Sequence, residues 1–158
     1  MTREVIPGGG EVEADFSGIE KMLKGLAEDH HVDIGVLGSG ARGKDGESVA
    51  EYGAKNEFGV VSKKIPERSF IRMPLTEKAK DIERAGADVL SARLAVGDVK
   101  GIFKVLGIAG EAAIQEAFDT RGFGKWKDNA RSTVREKGSD TPLIDTGTLR
   151  KSITSRVK

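Results

Sequence analysis

The stretch Val99 to Asp119, VKGIFKVLGIAGEAAIQEAFD, decides how this chain folds. Ile102, Phe103, Val105, Leu106, Ile108, Ile114, Ala117 and Phe118 recur at helical spacing, yet they spread beyond one stripe. A helix over about 99 to 119 therefore carries an apolar belt that needs cover on more than one side, by the domain or by a neighbouring subunit. Gly107, Ala109, Gly110, Ala112 and Ala113 stand between the large residues. They permit close backbone approach, although each glycine costs the helix about 1 kcal/mol.

Working outward, Gly97 is a stop and Asp98 an N-cap for that helix. Before it, Leu75, Ala79, Ile82, Ala85, Val89, Leu90 and Leu94 recur at three and four, which predicts one amphipathic helix running from Pro74. Ser17-Gly18-Ile19-Glu20 has capping-box spacing and opens a helix over 17 to 29 with Phe16, Ile19, Leu23 and Leu26 on its buried side. From His31 to Leu37, Val32, Ile34 and Val36 alternate as in a half-buried strand. Glycines and charges make 38 to 46 a loop. Ser48-Val49-Ala50-Glu51 repeats the capping box and starts a helix that Gly59 stops after Phe58. Pro66 cannot donate to a ladder, so Lys63 to Arg72 reads as a loop entering a short edge strand.

Downstream, 120 to 142 is polar and basic, with Phe123 and Trp126 isolated and a short helix over Asn129 to Lys137. Thr146 to Val157 starts as a helical turn and finishes as a strand, Ile153, Ser155 and Val157 alternating. Residues 1 to 14, with Pro7-Gly8-Gly9-Gly10, lack apolar periodicity and read as an extended arm. The expected architecture is α+β: a small antiparallel sheet packed with two long helices in one domain over 15 to 158, preceded by the arm and carrying a long loop at about 120 to 142.

A chain of 158 residues with 37% hydrophobic and 32% charged residues supports one domain of moderate core, much of it facing water or polar partners. No apolar run reaches membrane-span length and no signal-peptide layout is present, which places the chain in a cytoplasm. Zero cysteines exclude disulfides and thiol chemistry, and His30 and His31 are too few for an ordinary zinc site. The net charge of +1 hides a polarity: residues 1–33 hold eight acids against three bases, and 121–158 ten bases against four acids. Such asymmetry suits head-to-tail contact between identical subunits, or aims the basic part at nucleic acid.

Two strings invite an enzyme. Gly38-Ser39-Gly40-Ala41-Arg42-Gly43 follows a strand as a dinucleotide fingerprint does, but Lys44-Asp45-Gly46 breaks the helix whose N-terminus must face the pyrophosphate. A loop or hairpin is the better account. Asp145-Thr146-Gly147 has the form of an aspartic-protease loop, which needs a second copy in an all-β fold; the chain has one copy and a helical middle. No helix-turn-helix, zinc or RNA-binding signature accompanies the basic third.

Three further strings, in order, resemble one family. Glu57-Phe58-Gly59 followed by Ile65-Pro66-Glu67-Arg68-Ser69-Phe70-Ile71-Arg72 resembles the "FG, then I-P-x-R-x-F" segment of phage virion morphogenesis proteins. Lys125-Trp126, with Thr133 and Lys137 downstream, resembles their tryptophan loop. Pro142-Leu143-Ile144-Asp145-Thr146-Gly147-Thr148-Leu149-Arg150-Lys151-Ser152-Ile153 resembles their C-terminal "P-L-I-D-T-G-x-L-R-x-S-I". The likeness spans about residues 50 to 158. It departs where Lys127-Asp128-Asn129-Ala130 stands in place of a Pro-Leu-Ser stretch.

The resemblance implies a non-enzymatic virion protein of tailed bacteriophages, Mu-like and P2-like ones among them, with no cofactor, metal or membrane partner. Made in the host cytoplasm, it would form a homo-oligomeric ring of six subunits, or twelve, at the neck of the virion. Its neighbours would be the portal (connector) or head-closure protein and the tail tube or tail-terminator protein, with DNA touched non-specifically in the lumen. The alternatives are a tail-terminator or head-closure ring and, from another class, a small non-specific DNA-binding protein. Arg68, Phe70, Phe123, Trp126 and Arg150 are the candidate interface residues, and Trp126→Ala is expected to impair assembly while leaving the monomer's melting nearly unchanged. Asp145, Thr146 and Gly147 form the turn and cap that start the last element, with Leu149 and Ile153 docking it. The Pro66 to Arg72 segment is expected beside it in the sheet.

Overall fold

Helix α5 (Val99–Asp119) is the axis of the packing: three other helices and both strands of the C-terminal sheet lie against it. The computed structural model describes residues 2–6 and 10–14 by their backbone, and 17–38, 40–43 and 46–158 in full. Phe16, expected on the buried side of the first helix, Pro7-Gly8-Gly9 of the expected arm, and Ser39, Lys44 and Asp45 of the expected glycine loop lie outside them.

The chain is α+β. Before α5 come strands β1 (Thr2–Ile6) and β2 (Gly10–Ala14), helix α1 (Ser17–Ala27), strand β3 (Val32–Val36), helix α2 (Val49–Phe58), the short α3 (Arg72–Glu77) and the long α4 (Ala79–Ala95). After it come α6 (Arg131–Lys137), the one-turn α7 (Thr148–Lys151) and strand β4 (Ile153–Val157). β3 and β4 pair antiparallel with Ile34 opposite Ser155, joining the expected strand to the C-terminus. The β1–β2 segment, expected as an extended arm, is extended, and its two strands pair antiparallel with Glu4 opposite Val12.

The glycines of α5 explain how the sheet reaches the helix. A Cβ on Gly110 would sit 2.4 Å from Ile34 Cδ1, and one on Gly107 would sit 2.6 Å from Ser155 Oγ. Both strands thus lie against bare backbone. On the other side Gly86 of α4 faces Leu106 in the same way, a Cβ there standing 2.6 Å from Leu106 Cδ2. α5 is therefore covered on two sides, by the sheet and by α4, although Ile108 of its belt stays 66% exposed. Ile114, Ala117 and Phe118 near its C-terminal end are fully buried and join Val49, Phe70, Trp126, Leu143, Leu149 and Ile153 in one core.

At the other end of α5 Asp98 accepts the Gly101 amide at 2.9 Å, and Arg93 reaches the same carboxylate at 2.7 Å. Gly97 turns the chain at φ 70°. The helix expected to run unbroken from Pro74 breaks at Lys78, where α3 ends and α4 begins.

Two expectations fail, each for a local reason. Pro66 to Arg72 forms no strand: Val60 and Ile65 make one isolated bridge, and the amides of Phe70, Ile71 and Arg72 go to the Glu57 carboxylate instead of a ladder. β4 pairs with β3 alone. Helix α1 is present, but Ile19, Leu23 and Leu26 are 52%, 58% and 56% exposed. α1 meets the corner between α4 and α5 through its small residue, Gly25, whose added Cβ would stand 2.8 Å from Val99 Cγ2. Its apolar face is turned away from that contact.

Candidate functional site

The three strings that carry the resemblance fold into one packed unit. Its hinge is Glu57, the penultimate residue of α2 and 4% exposed. One carboxylate oxygen accepts the amides of Phe70 at 2.6 Å and Ile71 at 2.9 Å. The other accepts Ser69 Oγ at 2.7 Å, Arg72 Nε at 2.9 Å and the Arg72 amide at 3.1 Å. A buried charge is tolerable only when its lone pairs are filled by such donors. Glu57 thus fixes the path of 69 to 72 and satisfies the free amides at the start of α3.

Arg68, one residue upstream, points the opposite way and is 6% exposed. Its Nε donates to Lys127 O at 2.8 Å, and its Nη2 to Asp128 O at 3.0 Å and Asn129 Oδ1 at 3.3 Å. These acceptors belong to the four residues at which the chain departs from the family pattern. Burial holds the Arg68 guanidinium below its ordinary range, against the charges of Tyr52 and Asp128. Lys137 of α6, donating to Thr141 O at 3.1 Å, is also pushed down by burial and by Arg68, while Asp145 opposes the shift.

Trp126 closes the unit. Its Nε1 donates to Ser69 O at 3.2 Å, its ring meets Phe118 edge-on with centroids 5.7 Å apart, and Phe118 in turn packs on Phe70 at 5.6 Å. The backbone admits the indole only because Gly122, at φ 67°, has no side chain: a Cβ there would lie 2.3 Å from the ring. Leu149 and Phe70 meet over Gly53 of α2, where a Cβ would stand 3.3 Å from each.

Of the five candidate interface residues, Phe70, Arg68 and Trp126 are therefore interior parts of their own protomer, and none offers its side chain to a neighbour. Trp126, expected at an interface, folds back onto its own domain instead. Phe123, at φ 53°, and Arg150 are half-buried. The Phe123 ring lies 5.4 Å from Lys78 Nζ, and Arg150 binds Gln115 Oε1 at 2.6 Å and Asp119 Oδ2 at 2.9 Å, tying the last turn to α5.

In the Asp145-Thr146-Gly147 turn, Thr146 Oγ1 accepts the Thr148 amide at 3.3 Å and Gly147 takes the left-handed φ of 74°. Leu149 and Ile153 are buried behind it. Asp145 lines a small cleft of about 90 Å³ with Glu47, which is ion-paired to Lys55. Between the glycine string and α2, Arg42 bridges Ser48, and Gly43 accepts the Gly46 amide at 3.0 Å.

Glu57 is the residue sequence reasoning missed. Its signal is an acid at the end of a helix just ahead of a Pro-containing segment, and only the folded chain brings four donor residues to it. Among the described residues no group of three or more His, Asp or Glu could hold a metal ion, and no helix is long and apolar enough to cross a membrane. The chain matches no protein-family model, no curated protein and no solved structure.

Proposed function

We propose that this chain is a structural subunit of a tailed-bacteriophage virion, a neck or tail-completion protein that forms a ring between the head connector and the tail. The observation that carries the reading is the convergence of its three motif strings. Glu57, Arg68, Trp126 and Leu149, scattered over more than half the sequence, meet around one core. A motif set that folds into one unit is what a shared fold requires, whereas three chance likenesses have no reason to touch.

Support for self-association comes from the surface. A heterologous ring needs two different complementary patches on each subunit. The outward stripe Ile19, Leu23 and Leu26 is a continuous apolar face in the acidic part of the chain, and the bases of residues 121–158 supply the opposite charge. We assign a second copy of this chain to that stripe. A tail-terminator or head-closure ring uses the same physics at a neighbouring position.

The test is the mass of the full chain by light scattering as a function of concentration and salt, with imaging of large species. Rings of six or twelve support the reading. A monomer that also fails to join purified connectors or tails overturns it.

A further inference from the structure

We infer that the cleft between α2, α6 and the 63–68 segment is a phosphate-binding site. This does not rest on the ring reading, since it follows from the interior of one protomer.

The cleft has a volume of about 560 Å³, within the range of sites for small ligands. Lys63, Lys64, Arg68, Lys127 and Lys137 line it, and Asp128 is the one acid among its walls. Asp128 is itself 85% exposed and turned to Arg121 at 3.7 Å. Arg68 lies at the floor with its bonds going to two carbonyls and an amide oxygen, all neutral. Lys137 Nζ likewise donates to a carbonyl. No carboxylate stands within ion-pair distance of either among the described residues. A desolvated cation whose counter-charge stands beyond ion-pair distance, Asp128 for Arg68 and Asp145 for Lys137, is unfavourable, and burial lowers both groups despite those acids. An anion in the cleft removes that penalty.

The donor set selects the anion. Arg68 has already committed Nε and Nη2, so the usual two-pronged grip on a planar carboxylate along that edge is not on offer. What remains is a set of lysine point charges along the walls of the same cleft, which suits a tetrahedral oxyanion presenting oxygens in several directions. The phosphate can belong to a small free molecule or to a nucleic-acid backbone.

The experiment titrates the full chain with sodium pyrophosphate and, separately, with a random-sequence DNA duplex, by calorimetry. It compares Lys63→Gln/Lys64→Gln/Lys137→Gln with Lys24→Gln/Lys80→Gln/Lys100→Gln, which removes as many charges elsewhere. Arg68 is left intact because its loss would disturb the fold. Pyrophosphate should bind and raise the melting temperature, the first triple variant should weaken it by about tenfold or more, and the second should change it by less than about twofold. Duplex binding that pyrophosphate displaces identifies a nucleic-acid phosphate; pyrophosphate binding without duplex binding identifies a small phosphate ligand, and either supports the site. Absence of binding to both probes, or equal weakening in the two triple variants, overturns it.

Discussion

Trp126 donates its indole N–H to the carbonyl of Ser69 across 3.2 Å and 57 positions of sequence. That bond joins the tryptophan loop to the segment that Glu57 holds from the other side. The ring itself is 7% exposed against Phe118. Removing it opens a cavity in the main core, so Trp126→Ala should cost about 3 to 5 kcal/mol of unfolding free energy. This replaces the expectation of an unchanged monomer. Trp126→Phe, which keeps aromatic volume and loses the hydrogen bond, should lie well above it in a urea titration.

Glu57→Gln isolates a second part of the same unit. The amide has one acceptor oxygen for a set of donors that now uses two, and its NH₂ faces N–H groups. Leaving buried donors unsatisfied costs about 1 to 3 kcal/mol or more. Glu67→Gln, which breaks only the exposed pair with Arg72 at 3.0 Å, should cost less than about 1 kcal/mol. Equal midpoints for the two variants in chemical denaturation would remove Glu57 from its role.

The contrast shows what was legible in the sequence. Gly97 and Asp98, the belt of α5 and the alternation of Val32, Ile34 and Val36 are local signals, and each became the element it indicates. Pro66 gave a true local constraint, the lack of a ladder donor, but the amides that follow it were claimed by a carboxylate from another helix. Ile19, Leu23 and Leu26 mark an amphipathic helix correctly, since periodicity identifies a face without saying what covers it. Phe123 and Trp126 look alike in a polar stretch, yet only Trp126 lies opposite a glycine that lets it enter the core.

Gly122 and Gly124 provide a matched test of that last point. Both have positive φ, 67° and 75°, but a Cβ on Gly122 would strike the Trp126 ring while one on Gly124 meets nothing within 4 Å. Gly124→Ala should cost the left-handed backbone penalty alone, about 1 to 2 kcal/mol. Gly122→Ala adds overpacking of about 1 to 3 kcal/mol. Thermal melts should rank the wild type first, Gly124→Ala second and Gly122→Ala last, with near-ultraviolet circular dichroism of the tryptophan altered only in the last.

Asp98 predicts a pH dependence. The Gly101 amide, and then Arg93, hold its carboxyl below the ordinary range despite some desolvation. A folded pKa below the unfolded one contributes stability that is present above the unfolded pKa and lost as pH falls through the folded pKa. Destabilisation of this cap should therefore begin near the ordinary carboxylate pKa of 3.8 and deepen below it. Asp98→Asn, which still accepts the amide without ionising, should be less stable than wild type at neutral pH and approach it at acid pH. A constant difference across the range would show that the charge is not involved.

Leu23→Glu separates folding from assembly. Leu23 is 58% exposed on the outer face of α1, so the change buries no charge in the monomer. Substitutions at exposed positions away from special features usually stay within about 0.5 kcal/mol, and the monomer's denaturation midpoint should hardly move. In the proposed ring the same position would lie against a second copy, where an unpaired carboxylate is desolvated. Light scattering should then find monomer at concentrations where the wild type forms large species. The acid also repels an already acidic part of the chain, so Leu23→Ser is the necessary companion: it shortens the apolar face with no change of charge. Loss of assembly in both variants assigns the contact to the apolar stripe. Loss in Leu23→Glu alone assigns it to charge, and assembly unaffected in either removes α1 from the interface.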